Sequence, residues 1–279
     1  MALASADKIA RFRALHRKGA AFLIPNFWDA GSARILEGLG YEALASTSAG
    51  FALTKGRRDY AVTRQEALDH VREVCAAVSV PVSADLENGF GPHPEDCAET
   101  IRLAVEAGLC GGSIEDTTGD SARPIVEKAL AAERVAAAAD AARASPHGFV
   151  LTARADGFLH GETSLDEVIG RLQAFEAAGA DVLFAPGLPS LEAVKAVCSS
   201  VTRPVNVLVM GALARCSVED LAAAGAARVS LGSALASEAY AAFAEQAEAI
   251  RSGGCFDMFG GRREAQAKVR TILSAWAEA

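Results

Sequence analysis

The chain has 279 residues, 51% of them hydrophobic and 22% charged, with a formal net charge of −8. That composition supports a large folded core and excludes disorder, and an acidic balance with no basic cluster longer than Lys55-Gly-Arg-Arg58 argues against nucleic acid as a partner. No apolar run reaches the length of a membrane span, charges from Asp7 to Lys18 interrupt any leader-like stretch, and six cysteines without a C-x-x-C pair read as reduced thiols, so a cytoplasmic protein is expected, without a membrane partner.

Ala4 to Arg17 has helical spacing, with Ile9, Phe12 and Leu15 on one side. Phe22 to Asn26 reads as a first strand, and Trp28-Asp29 opens a helix that runs through Leu39 and closes at Gly40. A second strand, Glu42 to Ser46, is followed by a long connection, Thr47 to Val62, and then by a helix, Thr63 to Val78. Connections of that length in a compact domain are usually functional. The alternation continues through a third strand ending at Ala84, a helix from Pro94 to Ala107, and a fourth strand from Gly111 to Asp116. A polar loop, Thr117 to Pro124, leads to the helix Ala131 to Ala142 and the fifth strand, Phe149 to Arg154. Helices at 165–178, 190–198 and 218–224 then alternate with strands at 181–185, 204–208 and 227–231, and a long helix follows from Gly232 to about Ile250. The tail carries an apolar helical stretch, Glu264 to Trp276, including Ala267, Val269, Ile272 and Leu273. Eight strand–helix units without a linker predict a single (β/α)₈ barrel domain of the α/β class over 1–279, with the barrel at about 20–250 and a C-terminal helical tail at about 251–279.

The third strand ends in Asp85 and Glu87, two residues apart, which strand geometry would point the same way. Two carboxylates there suit a hard cation such as Mg²⁺; the competing reading is that Asp85 caps the loop and Glu87 is solvated. In a barrel of this kind the site lies at the C-terminal ends of the strands. The polar residues at those ends are Asn26, Ser46, Asp85 with Glu87, Glu115 with Asp116, Arg154 with Asp156, Asn206 and Ser230. Polar groups at the top of apolar strands are costly unless paired or used. An ion-pair layer around Arg154 competes for each residue singly; for the ring as a whole, a metal site with an anion-binding arginine is preferred. Gly225 to Gly232 could cradle a phosphate, though its glycines read first as turns. His93 and His160 read as loop and surface residues, and His16, His70 and His147 as helix or turn residues.

These pieces carry a resemblance. Pro25-Asn-Phe-Trp-Asp-Ala30, Ser46-Thr-Ser-Ala-Gly50 with Asp59 downstream, Ala84-Asp-Leu-Glu-Asn-Gly-Phe-Gly91, Ile114-Glu-Asp116 and Thr152-Ala-Arg-Ala-Asp156 are similar, in order and spacing, to the isocitrate lyase/phosphoenolpyruvate mutase superfamily. The resemblance implies a Mg²⁺-dependent barrel, with Mn²⁺ as a substitute, acting on small 2-oxo or 2-hydroxy carboxylates. It implies Asp85 as the direct metal ligand, with Glu87, Glu115 and Asp59 around the metal's water shell. Arg154 would bind a substrate carboxylate, and Ser46, Thr47, Ser48 and Ala49 would cradle the oxo-acid end; Asn206 is counted with that substrate-binding set. It also implies a homo-oligomer, dimer or tetramer, with the last helix swapped between subunits.

One segment departs from the pattern. The lyases of this superfamily carry Lys-Arg-Cys-Gly-His on the loop after the fourth strand, and the phosphonate mutases carry Lys and Asn there. Here the loop is Thr117-Thr-Gly-Asp-Ser-Ala-Arg-Pro124. Arg123 is its one cation and is counted with Asp59 and Arg154 as a catalytic candidate, meeting a second substrate anion if the loop closes. The expected activity is therefore carbon–carbon cleavage, retro-aldol or decarboxylative, of a small 2-oxo- or 2-hydroxy-dicarboxylate. The alternatives are phosphonomutase or phosphonopyruvate hydrolase chemistry, and a catalytically weak 2-oxo-acid binding protein.

Overall fold

Pro25 has no backbone N–H to give to a ladder, and the first strand breaks there. In the computed structural model, which describes residues 4–162, 164–254, 256 and 261–274, that strand is two pieces, Phe22–Ile24 (β1) and Asn26–Phe27 (β2). The remaining strands are Leu44–Ser46 (β3), Val82–Asp85 (β4), Gly111–Glu115 (β5), Val150–Arg154 (β6), Val182–Phe184 (β7), Val205–Leu208 (β8) and Arg228–Ser230 (β9). All pair in parallel in the order β1-β9-β8-β7-β6-β5-β4-β3-β2. β1 pairs only with β9 and β2 only with β3, so the eight expected strands form a nearly closed barrel whose seam is the break at Pro25. Asn26 stitches the seam with its side chain. Its Nδ2 donates to the Ser46 carbonyl at 2.8 Å, and its Oδ1 accepts the backbone N–H groups of Leu231 and Gly232, each at 2.9 Å. Those two N–H groups are thereby used, which disfavours the phosphate-cradle reading of Gly225 to Gly232.

The helices are Ala6–Leu15 (α1), Ala30–Gly38 (α2), Ser48–Thr54 (α3), Arg64–Ala77 (α4), Pro94–Glu106 (α5) and Lys128–Arg143 (α6). Leu165–Ala177 (α7), Leu191–Ser200 (α8), Val218–Ala223 (α9), Ala234–Gly253 (α10) and Arg263–Ser274 (α11) complete them. Capping residues set several starts: Asp29 with Ser32 opens α2 and Thr63 with Glu66 opens α4, each as a reciprocal box. The apolar faces of these helices, with Leu36, Leu68, Val71, Ile101, Val135, Leu172 and Val194, pack outside the strands in one continuous core. α1 closes the N-terminal end of the barrel, where Ile9 and Phe12 pack with Ile24, Cys110, Val150 and Val182. That approach requires Gly111: a Cβ there would lie 2.8 Å from Phe12 Cε1 and 2.7 Å from the Val150 carbonyl oxygen.

Three features differ from the sequence expectation beyond the split strand. The connection 47–62 is not all loop, because Thr47 caps the short helix α3 through Gly50 N–H. The third strand ends at Asp85, and Glu87 lies beyond it with a φ of 47°. The two-residue alternation that put Asp85 and Glu87 on one strand face therefore does not extend to Glu87. The polar loop Thr117 to Pro124 also has internal structure. Thr118 N–H donates to the Pro124 carbonyl at 2.8 Å, and Thr118 Oγ1 donates to the Arg123 carbonyl at 2.6 Å. Residues 118–123 are exposed, so the loop is tied to itself rather than to the barrel.

At the C-terminus, α11 lies on α2 of the same chain, where Ile272 approaches Gly38 so closely that a Cβ at Gly38 would sit 2.5 Å from Ile272 Cγ2. Val269, Ile272 and Leu273 are half-buried and Ala267 is exposed; Trp276 lies outside the described residues. Exchange of this helix between subunits is not seen in the single chain. The free thiols among the described residues are Cys75, Cys97, Cys110, Cys198 and Cys216. No described helix is long and apolar enough to cross a membrane.

Candidate active site

The strand ends open onto a cavity of about 190 Å³ lined by Ser46, Thr47, Ser48, Ala49, Asp59, Asp85, Arg154 and Asn206, among others. Of the sequence candidates, these eight are thus brought together. Glu115 lies at the cavity's edge through its contact with Arg154, and Glu87 lines a narrow cleft alongside, with Asp85 and Ser48. Arg123 is exposed on its loop and does not line the cavity.

Asp85 is held from three directions. Ser48 Oγ donates to its Oδ2 at 2.9 Å, Glu87 N–H donates to its Oδ1 at 3.2 Å, and its own N–H donates to Ser46 Oγ at 2.9 Å. The loop behind it is fixed by buried Arg134, which donates to the carbonyls of Asn88 and, at 3.3 Å, Gly91. Arg154 faces Asp85 across the mouth, with Nη1 at 3.0 Å from Glu115 Oε2 and 3.6 Å from Asp85 Oδ2. Its Nη2 donates to Asp156 Oδ2 at 2.7 Å, and its guanidinium lies 5.5 Å from the centre of the Phe184 ring. Asp116 points the other way from Glu115. It accepts the Asp156 N–H at 2.8 Å and pairs with Arg171 at 3.3 Å, so it supports the β6 end rather than facing the cavity.

Crowding sets the electrostatics. Burial, then the charge of Asp85, then those of Asp59 and Glu115 push the Glu87 carboxyl up to about 8. Burial lifts Glu115 to about 7 against the pull of Arg154, and burial followed by Asp85 raises Asp59. Acids gathered at this density favour either protons or a cation. The donor set is all oxygen and hard, which fits Mg²⁺ and Mn²⁺. Among the described residues no group of three or more His, Cys, Asp or Glu side chains converges as a direct cage. Asp85 and Asp59 are the carboxylates that line the cavity.

Sequence reasoning missed Tyr60. Its hydroxyl donates to Glu115 Oε1, which also accepts from Thr117 Oγ1 at 2.7 Å, and its backbone is held at a φ of 61°. Nothing local marks it, since Glu115 is distant in sequence and a tyrosine beside Asp59 in a long connection carries no pattern. Asn206 was counted as a substrate contact; its Nδ2 donates to Ser230 Oγ and its Oδ1 accepts from Arg228, each at 2.9 Å, so its polar atoms also serve the barrel interior. His93 caps α5, and His160 and His147 are exposed. His70 is buried in a stack on Phe51 at 3.9 Å.

Comparison with known proteins agrees with this geometry. A family model described as phosphoenolpyruvate phosphomutase matches residues 12–251. The chain is 30% identical over 256 residues to an oxaloacetate decarboxylase of Bradyrhizobium sp. (strain BTAi1 / ATCC BAA-1182), covering 89% of this chain and 86% of that one. It is 30% identical over 223 residues to the 2-methylisocitrate lyase of Escherichia coli (strain K12), covering 76% and 74%. Among solved structures, a Burkholderia cenocepacia J2315 protein described provisionally as a lyase/mutase superposes with a TM-score of 0.88 at 51% identity, covering 92% of each chain.

Proposed function

The chain belongs to the phosphoenolpyruvate phosphomutase family, within a superfamily of Mg²⁺-dependent lyases and mutases acting on C–C and P–C bonds, and on that premise we propose that it is a carbon–carbon lyase that decarboxylates or cleaves a small 2-oxo dicarboxylate through a pyruvate-type enolate. The observation that carries this reading is the cavity lining. Asp59, Asp85, Arg154 and Arg228 line it, and among the described residues no Cys, His or Lys does. A lining of that kind can stabilise an enolate and leaves general acid or base work to its carboxylates. Loss of CO₂ from a 2-oxo dicarboxylate needs none in the bond-breaking step, since the electron pair passes into the enolate and no proton moves.

Asp85 would hold the metal, with Glu87, Glu115 and Asp59 around its waters. When bound, Mg²⁺ supplies Lewis-acid polarisation of the 2-oxo oxygen. Arg154 holds the carboxylate next to that oxygen, its guanidinium kept in one orientation by Glu115, Asp156 and the Phe184 ring. Ser48 and Ser46 hold Asp85 in place, so little reorganisation is needed as charge develops. Tyr60 and Thr117 fix Glu115 in the same way.

The test is a substrate panel of oxaloacetate, 2-methylisocitrate, isocitrate and phosphonopyruvate, assayed for pyruvate, glyoxylate and phosphate with Mg²⁺. Pyruvate release from oxaloacetate well above the metal-only rate supports the proposal. Phosphate release from phosphonopyruvate in preference would assign the site to P–C chemistry, and binding of oxalate without turnover of any substrate would reduce the protein to an oxo-acid binder. We also propose a homo-oligomer. α10 buries only Ala236 among its side chains and exposes Tyr240 and Phe243, and a monomeric mass by light scattering would refute this.

A further inference from the structure

The interior of this barrel is unusual below the mouth. Such interiors are filled by layers of branched apolar side chains. Here Ser83, Ser113, Asn206 and Ser230 line the cavity, and at its foot lies Arg228, on the first residue of β9 and 6% exposed. Its Nε donates to Asn206 Oδ1 at 2.9 Å and its Nη2 to Thr152 Oγ1 at 3.1 Å. Its Nη1 lies 3.3 Å from His16 Nε2. A guanidinium can only donate, so His16 accepts there and carries its proton on Nδ1, which sits 2.9 Å from the Phe12 carbonyl. His16 is thus a neutral partner. All three partners of Arg228 are neutral, and among the described residues no carboxylate pairs with it. The guanidinium has five N–H groups, of which these contacts take three. A buried charge without a counter-ion is costly and persists in proteins where something compensates it.

Thr152, which Arg228 touches, is two residues before Arg154 on β6, so the two share a face one layer apart, about 7 Å by the rise of a strand. The two arginines line one cavity, Arg228 at its foot and Arg154 at its rim, so a single ligand with an anionic group at each end can meet both.

We propose that Arg228 is a substrate-binding residue, the floor of the cavity, which takes the distal carboxylate of a dicarboxylate whose 2-oxo or 2-hydroxy acid end is held at Arg154. This rests on the enolate-lyase reading for the upper end only; the floor's own claim is that it binds a second carboxylate. It assigns the substrate class as an extended dianion lying along the barrel axis, and it explains why the interior is small, polar and open.

Binding separates the two claims. Malate and lactate share a 2-hydroxy acid head and differ by the distal carboxylate; oxalate probes the mouth alone. With Mg²⁺ present and chloride absent, calorimetry on the wild-type protein is expected to show malate binding at least tenfold tighter than lactate. Arg228→Met is expected to abolish that advantage while oxalate affinity stays within twofold. Asn206→Asp places a carboxylate beside the guanidinium and is expected to do the same without removing the charge, so it decides the matter if Arg228→Met fails to fold. A malate advantage that survives both variants, no advantage in the wild type, or equal losses for malate and oxalate would overturn the proposal. Failure of the lyase reading looks different: oxaloacetate yields no pyruvate while the malate–lactate pattern stands.

Discussion

Replacing Arg154 with methionine keeps a stem over the Phe184 ring and deletes only the guanidinium. In the native chain that group lies 3.0 Å from Glu115, 2.7 Å from Asp156 and 3.6 Å from Asp85. At an effective dielectric of about 20, one such contact at 3 Å has a gross attraction of about 5 kcal/mol. Desolvation offsets much of that, and removal of one partner from a buried pair typically costs about 3–5 kcal/mol because the other charge is left uncompensated. Glu115 and Asp156 are the charges left here, both buried. For a domain of this size each kcal/mol shifts the midpoint by about 2–4 °C, so Arg154→Met is expected to melt roughly 6–20 °C lower. The catalytic loss is separate: a charged hydrogen bond to a substrate carboxylate contributes about 1.5–3 kcal/mol, or about 10- to 150-fold in kcat/KM. Arg154→Lys should recover part of the melting point but little of kcat/KM, because a point charge cannot bridge Glu115 and Asp156 as a planar fork does. Circular-dichroism melts and steady-state kinetics read the two effects. An Arg154→Met protein that melts with the wild type and keeps its kcat/KM would refute the placement of this arginine in both roles.

Three further outcomes are expected. Gly111→Ala pushes a methyl into the Val150 carbonyl and the Phe12 ring and should destabilise the barrel by about 1–3 kcal/mol; an unchanged denaturant midpoint would mean that α1 is not seated as described. His16 is held near 3, first by burial and then by Arg228, against an ordinary 6.5. Between those values the unfolded chain takes up a proton that the folded one refuses, so stability falls as pH drops from about 6.5 toward 3, by at most about 1.4 kcal/mol per pH unit. His16→Gln should flatten that slope in urea titrations, and parallel slopes would contradict the buried neutral histidine. Arg123 is exposed and outside the cavity, so Arg123→Ala should change kcat/KM by no more than about twofold; a selective loss for dicarboxylates would instead show that the self-tied loop swings closed over the substrate.

The alternation of apolar runs and turn residues made eight strand–helix units legible, because buried parallel strands and amphipathic helices leave strong periods. The charged residues at the strand ends were legible for a related reason: Asp85, Glu115 and Arg154 stand out at the ends of apolar runs. What was hidden depends on backbone detail or on the closing of the ring. The break at Pro25 follows from one missing N–H, but that Asn26 would bridge the seam depends on β9 arriving beside it. Glu87 lies beyond the strand with a φ of 47°, so period two does not place it, although it and Asp85 line one cleft. Arg228 reads in sequence as an ordinary strand-start cation, and only barrel closure places it among Asn206, Thr152 and His16. Tyr60 and Glu115 meet for the same reason.

On the proposed function, Asp85 holds a divalent cation on which enolate formation depends. The most direct measurement is calorimetric titration of Mg²⁺ into the wild-type protein and Asp85→Ala, with a melt of each and oxaloacetate turnover in the same preparations. The expected result is a wild-type Mg²⁺ isotherm that disappears in Asp85→Ala together with pyruvate release, while the variant still unfolds cooperatively. An Asp85→Ala protein that binds Mg²⁺ with unchanged affinity, or turns over oxaloacetate at the wild-type rate, would contradict it.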